Sequence, residues 1–336
     1  MILHKTNFKH QLAAHCESGA VTSLLNHSGI QISEAMVFGI SGAIFFAYIN
    51  NPTLPFPTIA VRNQPGKIHK NFTKFSNVAF ERRQFRNPEM ARNELDSVIR
   101  DGTPVGVQVD FFYMDYVPEY LRAHFNGHFV IIVGEKDDKY IISDAYTPTL
   151  VELDKETVLA ARFAKGPFKP KGLMIYRNGS GSIIDYEKAI LKGIKNSAFN
   201  MLKIPIPFLG VKGIRYFAKK LPEWPKLARD EDHLSHEIMM INILLEERGT
   251  GGGGFRFMYA AFLQESAKIL NKPALNDIAE QMMNNGDEWR QISIFAGKIG
   301  RARDLGQEKL QELAGIIEKR ADVEKQLFTD LKKIVK

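Results

Sequence analysis

The chain has 336 residues, a formal net charge of +7 at neutral pH and a single cysteine. One cysteine excludes an internal disulfide framework, so the fold does not depend on an oxidising compartment. The longest apolar run, 35–49, is interrupted by glycine and falls short of the roughly 18 residues that suggest a membrane span. The length corresponds to about two domains. Basic residues such as Arg82-Arg83, Lys219-Lys220 and Lys332-Lys333 are scattered among acids rather than clustered. That pattern argues against a nucleic-acid footprint, which needs clustered charge. A soluble, mildly basic surface is the first reading, and weak affinity for an anionic partner such as a phosphopantetheine carrier protein is the sharper alternative. The first ten residues carry no apolar leader with a small-residue cleavage site, so a cytoplasmic location is expected.

Residues 16–29 read as a helix that begins at or just before Cys16 and stops at Gly29. Ser33 and Glu34 open a second helical stretch into 35–38. Pro52, Pro55, Pro57 and Pro65 make 51–66 loop and edge strand. Asn87-Pro88-Glu89 starts a helix with Met90, Leu95, Val98 and Ile99 as its buried face, ended by Asp101-Gly102. Then the period changes. Val105, Val107 and Val109 alternate as a strand, 129–133 is a continuous apolar strand, and the polar turn 136–139 leads to a return strand at 140–143. Residues 173–176 make one more strand. Helices first and an antiparallel sheet after them predict an α+β fold.

The Gly/Ser stretch at 178–182 reads as a linker, between a first domain at 1–178 and a mainly α-helical second domain at 183–336. The second domain carries helical periodicity over 185–200, 233–248, 255–270, 276–295 and 307–336, with breaks at 202–207 and 221–225. No repeat of 20–50 residues is present. The amphipathic tail 307–336 is expected to pack in its own domain; a homodimer contact is the alternative.

Cys16 stands in His15-Cys16-Glu17-Ser18-Gly19 at the predicted helix start. His128 precedes the apolar strand, and Asp144 follows the return strand, sixteen residues later. This set fits nucleophilic thiol catalysis. A helix N-terminus and a neighbouring imidazolium favour the thiolate. His128 is the candidate base and Asp144 the group that holds its ring. If His128 opens one hairpin strand and Asp144 closes its partner, they lie together at one end of the sheet. Gly127 leaves room for a substrate. The Cys16 N–H and the Gln11 amide are candidate oxyanion donors. Each residue also has a plain alternative: Cys16 as a small buried hydrophobe, His128 as a strand-edge residue, Asp144 as the start of a turn. The three together, in this order, favour a thiol site.

These residues carry a resemblance. The helix-borne cysteine, the histidine-led strand and the acid after the turn resemble the papain-like fold of C39-type and related cysteine peptidases. His15-Cys16-Glu17-Ser18-Gly19 and Ser33-Glu34-Ala35-Met36-Val37-Phe38-Gly39 resemble the N-terminal domain of the butirosin biosynthesis protein H family. Gly252-Gly253-Gly254-Phe255-Arg256-Phe257-Met258-Tyr259-Ala260-Ala261-Phe262-Leu263 resembles the helical domain of unknown function that often follows it. The resemblance implies a papain-like first domain and an acyltransferase of secondary metabolism. Such an enzyme passes an acyl group from an acyl-carrier protein thioester, through Cys16, to a small amine. It implies catalytic roles for Cys16, His128 and Asp144; the antibiotic substrate does not carry over.

Gly249–Gly254 formally fits G-x-G-x-x-G, but a helix rather than a strand precedes it, so a dinucleotide site is not expected. An inter-helix loop is the first reading. A loop lining the substrate cleft is the second, with Arg256 and Tyr259 as substrate contacts. His233 and His236 sit near one helical turn apart with no further ligand evident, so neither metal nor cofactor is expected. Glu17 is read either as an amine-binding residue in the cleft or as a salt-bridge partner elsewhere. The helical domain is expected to cap the cleft. Two rivals to acyl transfer remain: a cysteine peptidase or amidase with water as acceptor, and a non-catalytic binding module on the same fold.

Overall fold

The computed structural model describes residues 3–52, 54–178 and 183–335; residues 179–182 of the expected linker lie outside them. In chain order the elements of the first half are β1 (Leu3–Lys5), α1 (Cys16–His27), α2 (Glu34–Ile40), β2 (Ile44–Ile49), β3 (Thr58–Arg62), α3 (Lys67–Ser76), β4 (Glu81–Arg83), α4 (Pro88–Arg100), β5 (Val105–Val109), β6 (His128–Lys136), β7 (Lys139–Ser143), β8 (Val151–Asp154), α5 (Lys155–Phe163) and β9 (Met174–Tyr176). Helices α6 (Tyr186–Leu202), α7 (Gly210–Lys220), α8 (Glu231–Asn242), α9 (Arg256–Ile269), α10 (Ala274–Ala302) and α11 (Gln307–Ile334) follow. They form two compact units. One comprises Met1–Val37 with Gln64–Asp185, and the other Phe38–Asn63 with Tyr186–Lys336. The architecture is the α+β type expected, with a mainly helical second unit.

In the first unit an antiparallel sheet runs in the order β4-β9-β5-β6-β7-β8, and β1 pairs with the far end of β6. The valine alternation of β5 and the apolar run of β6 are both central, which is why both faces of these strands are apolar. Val105, Val107, Val109, Val130, Ile132, Tyr140 and Ile142 share a core with Leu95, Val98 and Ile99 of α4 and Val158 and Ala161 of α5. Met90, assigned to the buried face of α4, is instead 62% exposed, and Ala91 takes the buried place. Met90 lies in the first turn, where the Asn87 side chain caps its N–H, so it is aimed by the cap rather than by the core.

Helix α1 packs on β5 and β6. Cys16 through Leu25 are all buried, as for a helix surrounded by protein. Close approach depends on a small residue in the sheet: a Cβ on Gly106 would lie 3.1 Å from Leu24 of α1 and 3.0 Å from Ile175 of β9. In the second unit the antiparallel hairpin β2–β3 packs with helices, β2 against α7. Helix α10 runs alongside α8, α9 and α11.

Candidate active site

The backbone at His15 is extended (φ −140°, ψ 137°), and α1 begins at the next residue, so Cys16 occupies the first helical position. There the N–H groups have no intrahelical partner and the helix dipole presents its positive end. Glu34 fastens this turn. Its carboxylate accepts from the Ala14 N–H at 2.9 Å, the His15 N–H at 3.0 Å and the Ser18 hydroxyl at 2.8 Å. Burial pushes the Glu34 carboxyl up from its ordinary range, against the pull of those donors. The Cys16 side chain is 3% exposed. Its Sγ lies 3.9 Å from His15 Nε2 and 3.9 Å from the Gly127 carbonyl oxygen.

His128 is the first residue of β6, and Asp144 directly follows β7. The register pairs Ile131 with Ser143, which leaves His128 and Asp144 as diagonal neighbours at the sheet end. The His128 Nε2–H donates to Asp144 Oδ2 at 2.7 Å, and both residues are buried. With Nε2 so engaged, Nδ1 is the ring nitrogen left to act on Cys16, whose sulfur is held beside Gly127, the residue before His128. Burial pushes the His128 ring down, but the charge and hydrogen bond of Asp144, joined by Cys16, outweigh it and raise the ring to about 10. Burial likewise pushes Asp144 up. His128, the Tyr116 hydroxyl and the Tyr146 N–H overcome this and hold its carboxyl below the ordinary range. The imidazole is flanked by Phe111, edge-on at 4.9 Å, and by Tyr146, stacked at 5.7 Å.

Three residues named from sequence for catalysis are thus brought together in one unit. Gln11 reaches the same place: it lines a small pocket with Cys16, Gly19, Ala20, Ser143 and Ala145. The pocket has room for about one water, at about 10 Å³. Sequence reading missed Tyr116, whose hydroxyl donates to Asp144 Oδ2 at 2.7 Å. It is one of several aromatics in 111–116, and nothing local marks its hydroxyl as directed to an acid.

Other expectations are corrected by burial and pairing. Glu17 is fully buried and accepts from the backbone N–H groups of Gly66, Ile68 and His69 and from His69 Nδ1. Its carboxylate caps the N-terminus of α3 and does not meet an amine in a cleft. Arg256 is fully buried too. It forms a bidentate pair with Glu324, at 2.9 and 3.1 Å, lies over the Trp289 ring and donates to the Gly254 carbonyl. Tyr259 is fully buried beside Phe262 and Phe328. Both residues therefore build the core of the helical unit rather than a substrate surface. The glycine loop before them is held by its own contacts: Gly253 N–H donates to Glu246 at 2.8 Å, and Gly249, Gly251, Gly252, Gly253 and Gly254 all have positive φ. The space a side chain on Gly127 would take is occupied by Pro65 and Phe125, each 2.6 Å from that position. That glycine admits protein, not substrate. His233 pairs with Glu237 on its own helix at 3.4 Å.

Residues 15–145 match the family described as Butirosin biosynthesis protein H, N-terminal, a range that holds Cys16, His128 and Asp144. Residues 156–331 match the Domain of unknown function (DUF4872). Comparison with curated proteins gives no match. Among solved structures, one described as a C39-like peptidase from Bacillus anthracis is similar at 14% identity, over 52% of this chain and 96% of that one, with a TM-score of 0.36. The second match spans more than half of the chain, which therefore belongs to the DUF4872 family, with a region similar to the butirosin biosynthesis protein H N-terminal domain ahead of it.

Proposed function

We propose that the chain is a thiol-dependent acyltransferase, taking an acyl group from a thioester and delivering it to a small amine. The observation that carries this reading is the buried set of Cys16, His128 and Asp144: the imidazole is bonded to the carboxylate at 2.7 Å, and the Cys16 sulfur lies 3.9 Å from the carbonyl of Gly127, the residue before His128. In the first half-reaction the Cys16 thiolate attacks the thioester carbonyl. The bond to the donor thiol breaks, and the departing sulfur takes a proton from the His128 imidazolium. In the second, an amine attacks the acyl-Cys16 carbonyl and His128 accepts its proton. The C–N bond forms as the Cys16 thiolate leaves. Asp144 holds the ring and stabilises the imidazolium throughout. The Cys16 N–H and the Gln11 amide are the candidate oxyanion donors. A carrier-protein thioester is the proposed donor, and the chain's mild positive charge suits an acidic carrier. The relation to the butirosin biosynthesis protein H family supports a biosynthetic acceptor.

The test is to mix the full-length protein with an acyl thioester of N-acetylcysteamine and follow its intact mass. An acyl adduct is expected, absent in Cys16→Ala, that is discharged faster as amine is added. No adduct in the wild type would overturn the reading. Discharge at a rate indifferent to amine would replace transfer with hydrolysis.

A further inference from the structure

We propose that His15 is a positioning residue for Cys16, donating its Nε2–H to the sulfur and stabilising the thiolate. This inference rests on Cys16 being the nucleophile. The donor assignment follows from hydrogen-bond chemistry. The Ser18 backbone N–H, which can only donate, meets His15 Nδ1 at 3.2 Å. Nδ1 must then carry the lone pair, and the ring proton sits on Nε2. That atom lies 3.9 Å from Cys16 Sγ, within the longer reach of hydrogen bonds to sulfur. The ring is 2% exposed and has little freedom. Ser18 Oγ lies 3.0 Å from the same Nδ1, so with a lone pair there the hydroxyl proton is shared between Nδ1 and Glu34, which also accepts the His15 N–H.

His15 and His128 therefore act differently on one sulfur. His128 is the charged partner that exchanges protons. His15, with Nδ1 closed by a backbone donor and Nε2 already protonated, cannot serve as a second base. Its contribution persists whether or not His128 carries a proton. It stabilises the thiolate before attack, and again when the thiolate departs from the acyl-enzyme. The other titratable groups around the sulfur are Asp144 with Tyr116 behind His128, Glu34 behind His15, and His10, which bonds Ser143 of the pocket wall at 2.8 Å.

The role separates from capping in one substitution. His15→Asn keeps an N-cap acceptor for Ser18 but is too short to reach the sulfur. Iodoacetamide alkylation of Cys16 would be followed from about pH 4 to 10 in wild type, His15→Asn and His128→Ala, with thermal melting alongside. His15→Asn is expected to melt within a few degrees of wild type, while its pH of half-maximal alkylation rises by about one unit, in line with a hydrogen bond to a charged group. An unchanged alkylation profile in His15→Asn, with a low-pH plateau lost only in His128→Ala, would overturn the inference and spare the nucleophile. No plateau in the wild type and no effect of His128→Ala would overturn both. Should His15→Asn not fold, nitrogen-15 NMR of the wild-type protein decides: a protonated His15 Nδ1 overturns the inference, and a protonated Nε2 upholds it.

Discussion

Asp144 directs one oxygen, Oδ2, at two donors, the Nε2–H of His128 and the hydroxyl of Tyr116, while the Tyr146 N–H takes Oδ1 at 3.2 Å. A buried carboxylate with this many donors remains ionised, and its charge is what lifts His128. Asp144→Asn keeps the shape and removes the charge, leaving burial as the dominant influence on the ring. His128 is then expected to titrate below its ordinary value near 6.5 instead of near 10. An NMR titration of the His128 ring protons checks this, and a ring still charged at pH 8 in the variant contradicts it. Cys16, His128 and Asp144 were legible in the sequence because each sits at a boundary that local pattern reveals: a helix start, a strand start and the end of a return strand. Tyr116 was not, because its partner lies 28 residues away and is set by how the chain returns.

At the scale of elements, the N-terminus of α3 is fastened to α1 by Glu17. Gly66 enters α3 at φ 79° without a side-chain cap of its own, so the carboxylate of another helix supplies the acceptor. Glu17→Ala would leave buried N–H donors, and the His69 ring, without this partner. A loss of about 3 kcal/mol or more is expected in urea unfolding. Glu17→Gln is expected to cost less, since its amide oxygen still accepts from α3. Equal stability of wild type and Glu17→Ala would refute the cap. The sequence left Glu17 open between an amine-binding residue and a salt-bridge partner elsewhere, and the structure pairs it with His69. A carboxylate beside a candidate nucleophile announces its charge but not its direction, and the successive positions of a helix point about 100° apart. Arg256 repeats the lesson, since its partner Glu324 lies 68 residues away on another helix.

For the whole molecule, the titrations set a pH window. His128 is raised from 6.5 to about 10 in the fold. Its contribution to stability is therefore complete below about 6.5 and is lost as pH climbs through about 10. Asp144 is lowered, so its contribution is present above about 4 and is lost as pH falls through its folded value. Glu34, raised by burial, works the other way: it favours the fold on the acid side and opposes it as it ionises. It softens the acid loss. The urea midpoint of the full chain is expected to be highest between about pH 5 and 6.5, to fall gradually as pH climbs from there toward about 10, and to fall on the acid side. In His128→Gln the alkaline decline should shrink, and an alkaline limb identical to wild type would contradict the assignment.

The sequence by itself determined the order of helices and strands, the α+β class and the candidate residues for a thiol chemistry. These depend on periodicity, capping signals and residue type, all of which are local. Only the tertiary structure decided that 38–63 groups with the C-terminal helices. It also decided that Glu17 and Arg256 are held in the interior, that Gly127 yields to Pro65 and Phe125, and that His15 turns Nε2 toward the sulfur. The apolar pattern of 38–63 states that it is buried but not against what. A polar side chain states what it can bond but not which group, tens of residues away, the fold will bring to it.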